Sequence, residues 1–308
     1  MDIMVIINQM IQLFLVIALG YVLNRMGIFD QTLNKKLTTL LLSVTTPAMV
    51  LSSVMSNNND ASLSEVGLVF LVVIIVFTVL PILSYVLVKI MRIPKKQQGL
   101  YMFMTVFSNI GFMGFPVLQA IFGDESVFYA AIFNMGFNLL VFTLGVVMMN
   151  HGNEKRINLS IKNVLTPGVI ASLIALLIYF TKLQFPVVIS NTVSMIGNIT
   201  TPIAMLLIGS TLANMPIKEV FNDFRIYPYT FIKQIIIPII AFPILSFFIK
   251  DTYLLGITFI VVSMPVANSA VLFATEYGGD IKLAAKTVFL TTLVSVVSIP
   301  ALVYIFLI

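Results

Sequence analysis

Charged residues are sparse along this chain and divide it into ten long, nearly uncharged intervals. A helix needs about 20 predominantly apolar residues to cross the hydrocarbon core of a bilayer. The pattern therefore predicts ten membrane-spanning helices. Lys233 lies near the start of the eighth interval, where we expect its long side chain to reach the lipid headgroups. The intervals cover residues 3–24, 37–59, 66–88, 97–123, 126–153, 163–181, 183–217, 226–249, 252–275 and 287–308.

The composition agrees with a membrane protein. Of 308 residues, 59% are hydrophobic and 9% are charged, whereas about a quarter of a soluble domain is usually charged. So few charges cannot cover a water-facing surface, which excludes a soluble enzyme. The chain has no Cys, so a disulfide framework, a thiolate metal site and a Cys nucleophile are excluded too.

The basic residues predict the orientation of the spans. With ten spans the connecting loops alternate between the two sides of the membrane, and one set of loops carries 15 of the 17 Lys and Arg residues. The other set carries only Lys182 and Lys250. Since basic loops stay in the cytoplasm, we predict a multi-pass protein of the cytoplasmic membrane with both termini outside.

Two short patterns recur half a chain apart. Val-Thr-Thr-Pro-Ala-Met contains Pro47, and Ile-Thr-Thr-Pro-Ile-Ala-Met contains Pro202, which is 155 positions later. A Gly-Asp pair at 123–124 returns 156 positions later at 279–280. The agreement predicts two five-helix repeats, residues 1–150 and 151–308. Because five is odd, the second repeat is inverted, an architecture typical of secondary transporters.

The fourth and ninth intervals contain residues that interrupt helices. Proline removes a backbone donor and glycine loosens the helix around it, so we predict that both segments unwind near mid-membrane and cross each other. In secondary transporters the substrate binds at such breaks. The candidate substrate-binding residues are Asn109, Gly111, Gly114 and Pro116 in the fourth interval, and Pro265, Asn268 and Ser269 in the ninth.

The same residues carry a family resemblance. Asn-Ile-Gly-Phe-Met-Gly-Phe-Pro at 109–116 and Pro-Val-Ala-Asn at 265–268, in a ten-span chain of two halves, resemble a bacterial member of the auxin efflux carrier family. This family includes the plant PIN carriers and malate and malonate permeases. The resemblance implies that helices 4 and 9 cross at their prolines between a scaffold domain and a transport domain, that carboxylates bind beside the crossing, and that the protein dimerises through the scaffold.

Each candidate residue also has a structural interpretation. Asn109 and Asn268 could hydrogen-bond a substrate carboxylate, or satisfy carbonyl groups freed by their own helix breaks. Asn134 and Asn138 share one face of the fifth helix and could line the cavity or bond a neighbouring helix. Pro47 and Pro202 could line the cavity or be packing kinks of the scaffold.

These observations predict a carrier that moves a small organic anion by alternating access. Apart from His151 and Glu276, which lie near the ends of two intervals, no Asp, Glu, His or Arg lies within the predicted spans, and proton relays and sodium sites usually need such groups. We therefore expect efflux by uniport. A proton- or sodium-coupled dicarboxylate symporter and an anion channel of the same fold are the alternatives. We expect no catalytic activity, cofactor, metal or nucleic-acid partner.

Overall fold

A computed structural model describes residues 3–55, 63–151, 165–214 and 223–307. Over these residues the chain is all-helical and contains no β-strand. Thirteen helices follow one another in the described ranges. They are α1 (Ile3–Arg25), α2 (Gln31–Met55), α3 (Leu63–Ile90), α4 (Lys95–Val106), α5 (Ile110–Phe122), α6 (Glu125–Met149), α7 (Pro167–Thr181), α8 (Val187–Gly197), α9 (Thr200–Ala213), α10 (Ile226–Phe248), α11 (Thr252–Ser263), α12 (Ser269–Tyr277) and α13 (Ile281–Leu307).

Six helical segments in the described ranges are long and apolar enough to cross a membrane. Four shorter apolar helices accompany them. The long segments are α2, α3, α6, the α8–α9 pair, α10 and α13; the shorter ones are Ile11–Arg25, α5, α7 and α11. The chain is thus a helical protein with several potential membrane spans.

The charged boundaries of the sequence intervals do not coincide with the helix ends. α2 begins at Gln31, because the side chain of Asp30 caps it by accepting a hydrogen bond from the amide of Leu33 (2.6 Å), and Lys35 and Lys36 lie exposed within its first turns. The fourth, seventh and ninth intervals each contain two helices. The seventh is interrupted at Asn198 and Ile199, a position where no break was predicted.

Three prolines in this fold follow widened helical turns. Three of the four π-helical turns in the described ranges end two residues before a proline, namely Leu41–Thr45 before Pro47, Ile110–Gly114 before Pro116 and Ile232–Ile236 before Pro238. A proline has no amide hydrogen and clashes with the carbonyl four residues earlier. The widened turn moves that carbonyl away, so these prolines remain inside helical segments.

Helix α1 of the first half of the chain packs against helix α9 of the second half so closely that their backbones are in contact. A Cβ atom added at Gly20 would overlap the backbone of Leu206, and one added at Gly209 would overlap the backbone of Ile17. Small residues permit this approach of membrane helices, where dispersion contacts provide much of the packing energy. The two glycines therefore fix α9 against α1.

Candidate functional site

The two predicted helix breaks meet in the folded chain. Ser108, between α4 and α5, forms an isolated antiparallel β-bridge with Val266, between α11 and α12. Two backbone hydrogen bonds flank the bridge, from the amide of Asn109 to the carbonyl of Pro265 (2.8 Å) and from the amide of Ala267 to the carbonyl of Phe107 (3.1 Å). The fourth and ninth segments, which were predicted to cross, are therefore hydrogen-bonded to each other at their breaks.

Two helices begin at this crossing. α5 starts at Ile110 and α12 starts at Ser269, each immediately after its break. The first amide groups of a helix have no partner within the helix, and the helix dipole places about half a positive charge at this end. Several of these amides are bonded locally, since Ile110 donates to Ser108 (2.9 Å) and Ala270 to Ala267 (3.0 Å). Both helix starts therefore contribute mainly partial positive charge at the crossing.

A cavity of about 660 Å³ lies beside the crossing. Both breaks line it, through residues 108–112 and 267–269, and α2, α6, α9 and the start of α7 complete its wall. No Asp, Glu, Lys, Arg or His within the described ranges lines it. Apart from hydroxyl and amide groups, the wall consists mainly of aliphatic and aromatic side chains, including Phe112, Phe137, Phe142, Leu207 and Phe273.

Asn109 combines a structural contact with a free donor. Its Oδ1 accepts a hydrogen bond from the amide of Phe112 (3.2 Å) and so caps the first turn of α5. Its Nδ2 group donates no hydrogen bond to any residue that the structure describes. Because Asn109 lines the cavity, this amide can satisfy its own helix break and still donate to a bound group.

The residues of the second break present unpaired polar atoms to the cavity. The Asn268 amide makes no hydrogen bond within the described part of the chain. The buried hydroxyl oxygens of Ser269 and Thr46, which also line the cavity, have no hydrogen-bond partner either. Unpaired buried polar groups are costly. Within the described residues, the Asn268 amide is a side chain of this break that lines the cavity without a hydrogen bond.

Asn134 and Asn138 of α6 both line the cavity. The Nδ2 of Asn138 donates to the backbone carbonyl of Asn134 (2.7 Å), within the same helix. The Asn134 amide lies opposite Gly111, where an added Cβ atom would be 3.7 Å from its Oδ1. No hydrogen bond of this amide occurs within residues 3–55, 63–151, 165–214 and 223–307. Asn134 is thus a further unpaired amide at the cavity.

The four candidate prolines and Gly114 do not line the cavity. Pro265 is buried in the crossing and contributes its carbonyl, whereas Pro116 lies in α5 beyond the widened turn. The expectation that both helices cross at their prolines is therefore wrong for Pro116. Pro47 and Pro202 lie within helices, and Pro202 is exposed. In the Thr-Thr-Pro pattern of the first half, Thr46 reaches the cavity in place of the proline.

Lys233 does not extend to the headgroups as expected. Its side chain is 0% exposed, in the widened turn of α10, and its ammonium group donates to the Ser108 hydroxyl (2.8 Å) and the Thr105 carbonyl (3.2 Å). The reason is that these two groups beside the break offer hydrogen-bond acceptors within reach of the ammonium group. The interior thus holds a titratable group, which the prediction of uniport did not include. A lone Lys within an apolar interval was the signal for it.

Comparison with known proteins identifies the family. The chain matches the model of a family described as membrane transport protein, in two segments, residues 5–159 and 155–303. It therefore belongs to this family, the auxin efflux carrier family that the sequence motifs indicated. The family and its transporter members point to a transporter and not to an enzyme.

Uncharacterized transporters of archaea and bacteria are similar along nearly the whole chain. One from Methanocaldococcus jannaschii is 23% identical over 292 residues, which cover 92% of this chain and 94% of the relative. One from Methanothermobacter thermautotrophicus is 22% identical, with 95% and 96% covered. The Escherichia coli K12 transporter YfdV is 21% identical, with 97% of each chain covered.

The contacts of the two break asparagines predict different effects on stability. Asn109→Ala removes the cap of α5 and should lower the unfolding free energy by about 1 kcal/mol, whereas Asn268→Ala removes no protein hydrogen bond and should leave the melting temperature unchanged. Asn109→Ser keeps a capping oxygen without adding a charge and serves as the matched control. Thermal unfolding in detergent measures all three variants. An Asn268→Ala variant as unstable as Asn109→Ala would assign Asn268 a structural role.

Proposed function

We propose that this protein is a secondary carrier that moves a small organic anion across the cytoplasmic membrane by alternating access. The observation that carries the proposal is the convergence of two helix starts and the unpaired Asn109 and Asn268 amides on one cavity. Donors and partial positive charge together suit a carboxylate. The interrupted helices permit free backbone groups because they line a cavity and do not face lipid.

The proposed architecture is ten spans in two inverted five-helix repeats, residues 1–150 and 151–308, with each repeat contributing to a scaffold domain and a transport domain. The two segments that match the family model meet at residues 155–159, close to the proposed join. The backbone bridge between the two breaks supports a pseudo-symmetric crossing. Movement of one domain against the other would expose the cavity alternately on each side. We further propose a homodimer in the bilayer, formed through the scaffold.

The walls of the cavity favour an anion with an apolar body. Aromatic and aliphatic side chains surround the amide groups, so a second carboxylate on the substrate would have to enter an environment without basic side chains. Burying a charge without a partner is costly. A monocarboxylate with an aromatic or aliphatic body therefore suits the cavity better than a dicarboxylate such as malate.

The proposed substrate site is tested by ligand binding. If Asn109 and Asn268 hold the carboxylate, Asn109→Ala and Asn268→Ala should each weaken binding by roughly 10- to 100-fold, because a hydrogen bond to a charged group contributes about 1.5 to 3 kcal/mol. Stabilisation of the purified protein by phenylacetate, indole-3-acetate, malonate and malate gives the affinities. Wild-type affinity in both variants would place the site elsewhere, and no stabilisation by any acid would overturn the proposed substrate class.

The proposed orientation is tested with single cysteines, since the natural chain has none. Lys250→Cys and Lys182→Cys lie in the proposed external loops and should react with a membrane-impermeant thiol reagent in intact cells. In Arg92→Cys and Lys282→Cys the new cysteine lies on the proposed cytoplasmic side, and it should react only after the membrane is opened. Labelling of the opposite pair would reverse the orientation.

For energy coupling we propose uniport driven by the anion's own gradient. An inside-negative membrane potential contributes about 2.3 kcal/mol per charge per 100 mV and drives an anion outward. Efflux from proteoliposomes should accelerate as the lumen becomes more negative, with equal pH on both sides and no sodium. Flux that requires a proton or sodium gradient would establish a coupled symporter, and unitary conductance would establish a channel.

A further inference from the structure

The buried Lys233 is a charged group that the proposed function does not yet use. It lies in α10, outside both breaks, yet its ammonium group contacts the first break through Thr105 and Ser108. A fully buried lysine is costly within a membrane protein unless its charge is compensated. The groups that surround it therefore indicate what it does.

One contact of Lys233 satisfies a backbone carbonyl group at the break. In a continuous helix the amide of Asn109 would donate to the carbonyl of Thr105, but here it donates to the carbonyl of Pro265 instead. The Thr105 carbonyl thus loses its helical partner and accepts a hydrogen bond from Lys233 (3.2 Å). It also lies at the carboxyl end of α4, where the helix dipole is negative. Lys233 therefore stabilises the helix end that the crossing exposes.

This contact compensates only part of the charge. A helix end supplies about half a negative charge, and the serine hydroxyl is neutral. In the described part of the chain no carboxylate forms a salt bridge with Lys233. When it is protonated, Lys233 therefore lacks a full negative partner among the described residues. An anion in the adjacent cavity would supply it.

The other contact of Lys233 is with Ser108, a residue of the cavity wall. Ser108 lines the cavity and accepts a hydrogen bond from the Lys233 ammonium group (2.8 Å). A hydroxyl that accepts from a cation becomes a stronger donor through its own hydrogen, and the Ser108 hydroxyl donates to no group within the described residues. Its hydrogen is thus available to a ligand beside Asn109.

We propose that Lys233 is the fixed positive charge of the anion site and that it acts on the substrate through Ser108. This inference rests on the proposed function, because it requires that the cavity binds an anion. Lys233 is then a positioning residue. It makes the cavity select a carboxylate over a neutral group of the same shape, although the ammonium group itself lies behind the cavity wall.

The test compares a carboxylate with its neutral isostere. Binding of phenylacetate and of phenylacetamide is measured by calorimetry for the wild type, Lys233→Met, Lys233→Arg and Ser108→Ala. We expect Lys233→Met to weaken phenylacetate binding by at least 10-fold and to leave phenylacetamide binding within 2-fold of the wild type. Lys233→Arg should restore much of the preference for the carboxylate. Lys250→Met, which removes an exposed lysine, is the control for net charge.

Ser108→Ala keeps the bond between Lys233 and the Thr105 carbonyl and provides a second test if Lys233→Met does not fold. It should reduce the preference for phenylacetate over phenylacetamide by 3- to 10-fold. If both variants keep the wild-type preference for phenylacetate over phenylacetamide, the proposal for Lys233 is overturned, and the proposed anion carrier is not affected. The same holds if Lys233→Met does not fold and Ser108→Ala keeps the preference. An equal loss of both ligands overturns it as well, since that is the result of a purely structural role. If neither phenylacetate nor the other acids bind the wild type, the proposed function itself fails.

Discussion

The structure depends on how a membrane protein satisfies backbone groups where a helix is broken. In the hydrocarbon core no water is available, so each free amide or carbonyl must find a partner within the protein. Here the two broken segments supply each other, through the hydrogen bonds between Asn109 and Pro265 and between Ala267 and Phe107. Neither break could persist alone at low cost, since each provides acceptors or donors that the other lacks. The crossing is therefore a joint property of both halves of the chain.

The chemistry of the cavity follows from the same constraint. α5 and α12 begin at the crossing, and the asparagines that precede them lie at the cavity wall. Asn109 is partly used to cap its own helix, while Asn268 is not. The site is consequently asymmetric, because the two asparagines differ in their contacts. A carrier that must release its ligand benefits from such neutral donors, because a direct ion pair would hold an anion more tightly.

Lys233 connects the backbone groups of the first break with the chemistry of the cavity. Its bond to the Thr105 carbonyl stabilises the broken end of α4, and its bond to Ser108 extends its influence to the cavity. Because the Lys233 ammonium group lies behind the cavity wall, the wall itself carries no charged side chain, and the positive charge lies in the region around it. The prolines that follow widened turns act differently, since they shape helices at a distance from the ligand space.

The sequence alone determined the helical class, the family and the two segments that cross, because long apolar intervals and helix-breaking residues act through local backbone chemistry. It also identified Asn109, Gly111, Asn134, Asn138, Asn268 and Ser269, which all line one cavity. Only the tertiary structure decided that Pro116 lies beyond the crossing, that Thr46 and Ser108 reach the cavity, and that Lys233 points inward. These outcomes depend on which acceptors lie nearest in space, and the Thr105 carbonyl becomes available to Lys233 only after residues 156 positions apart have paired.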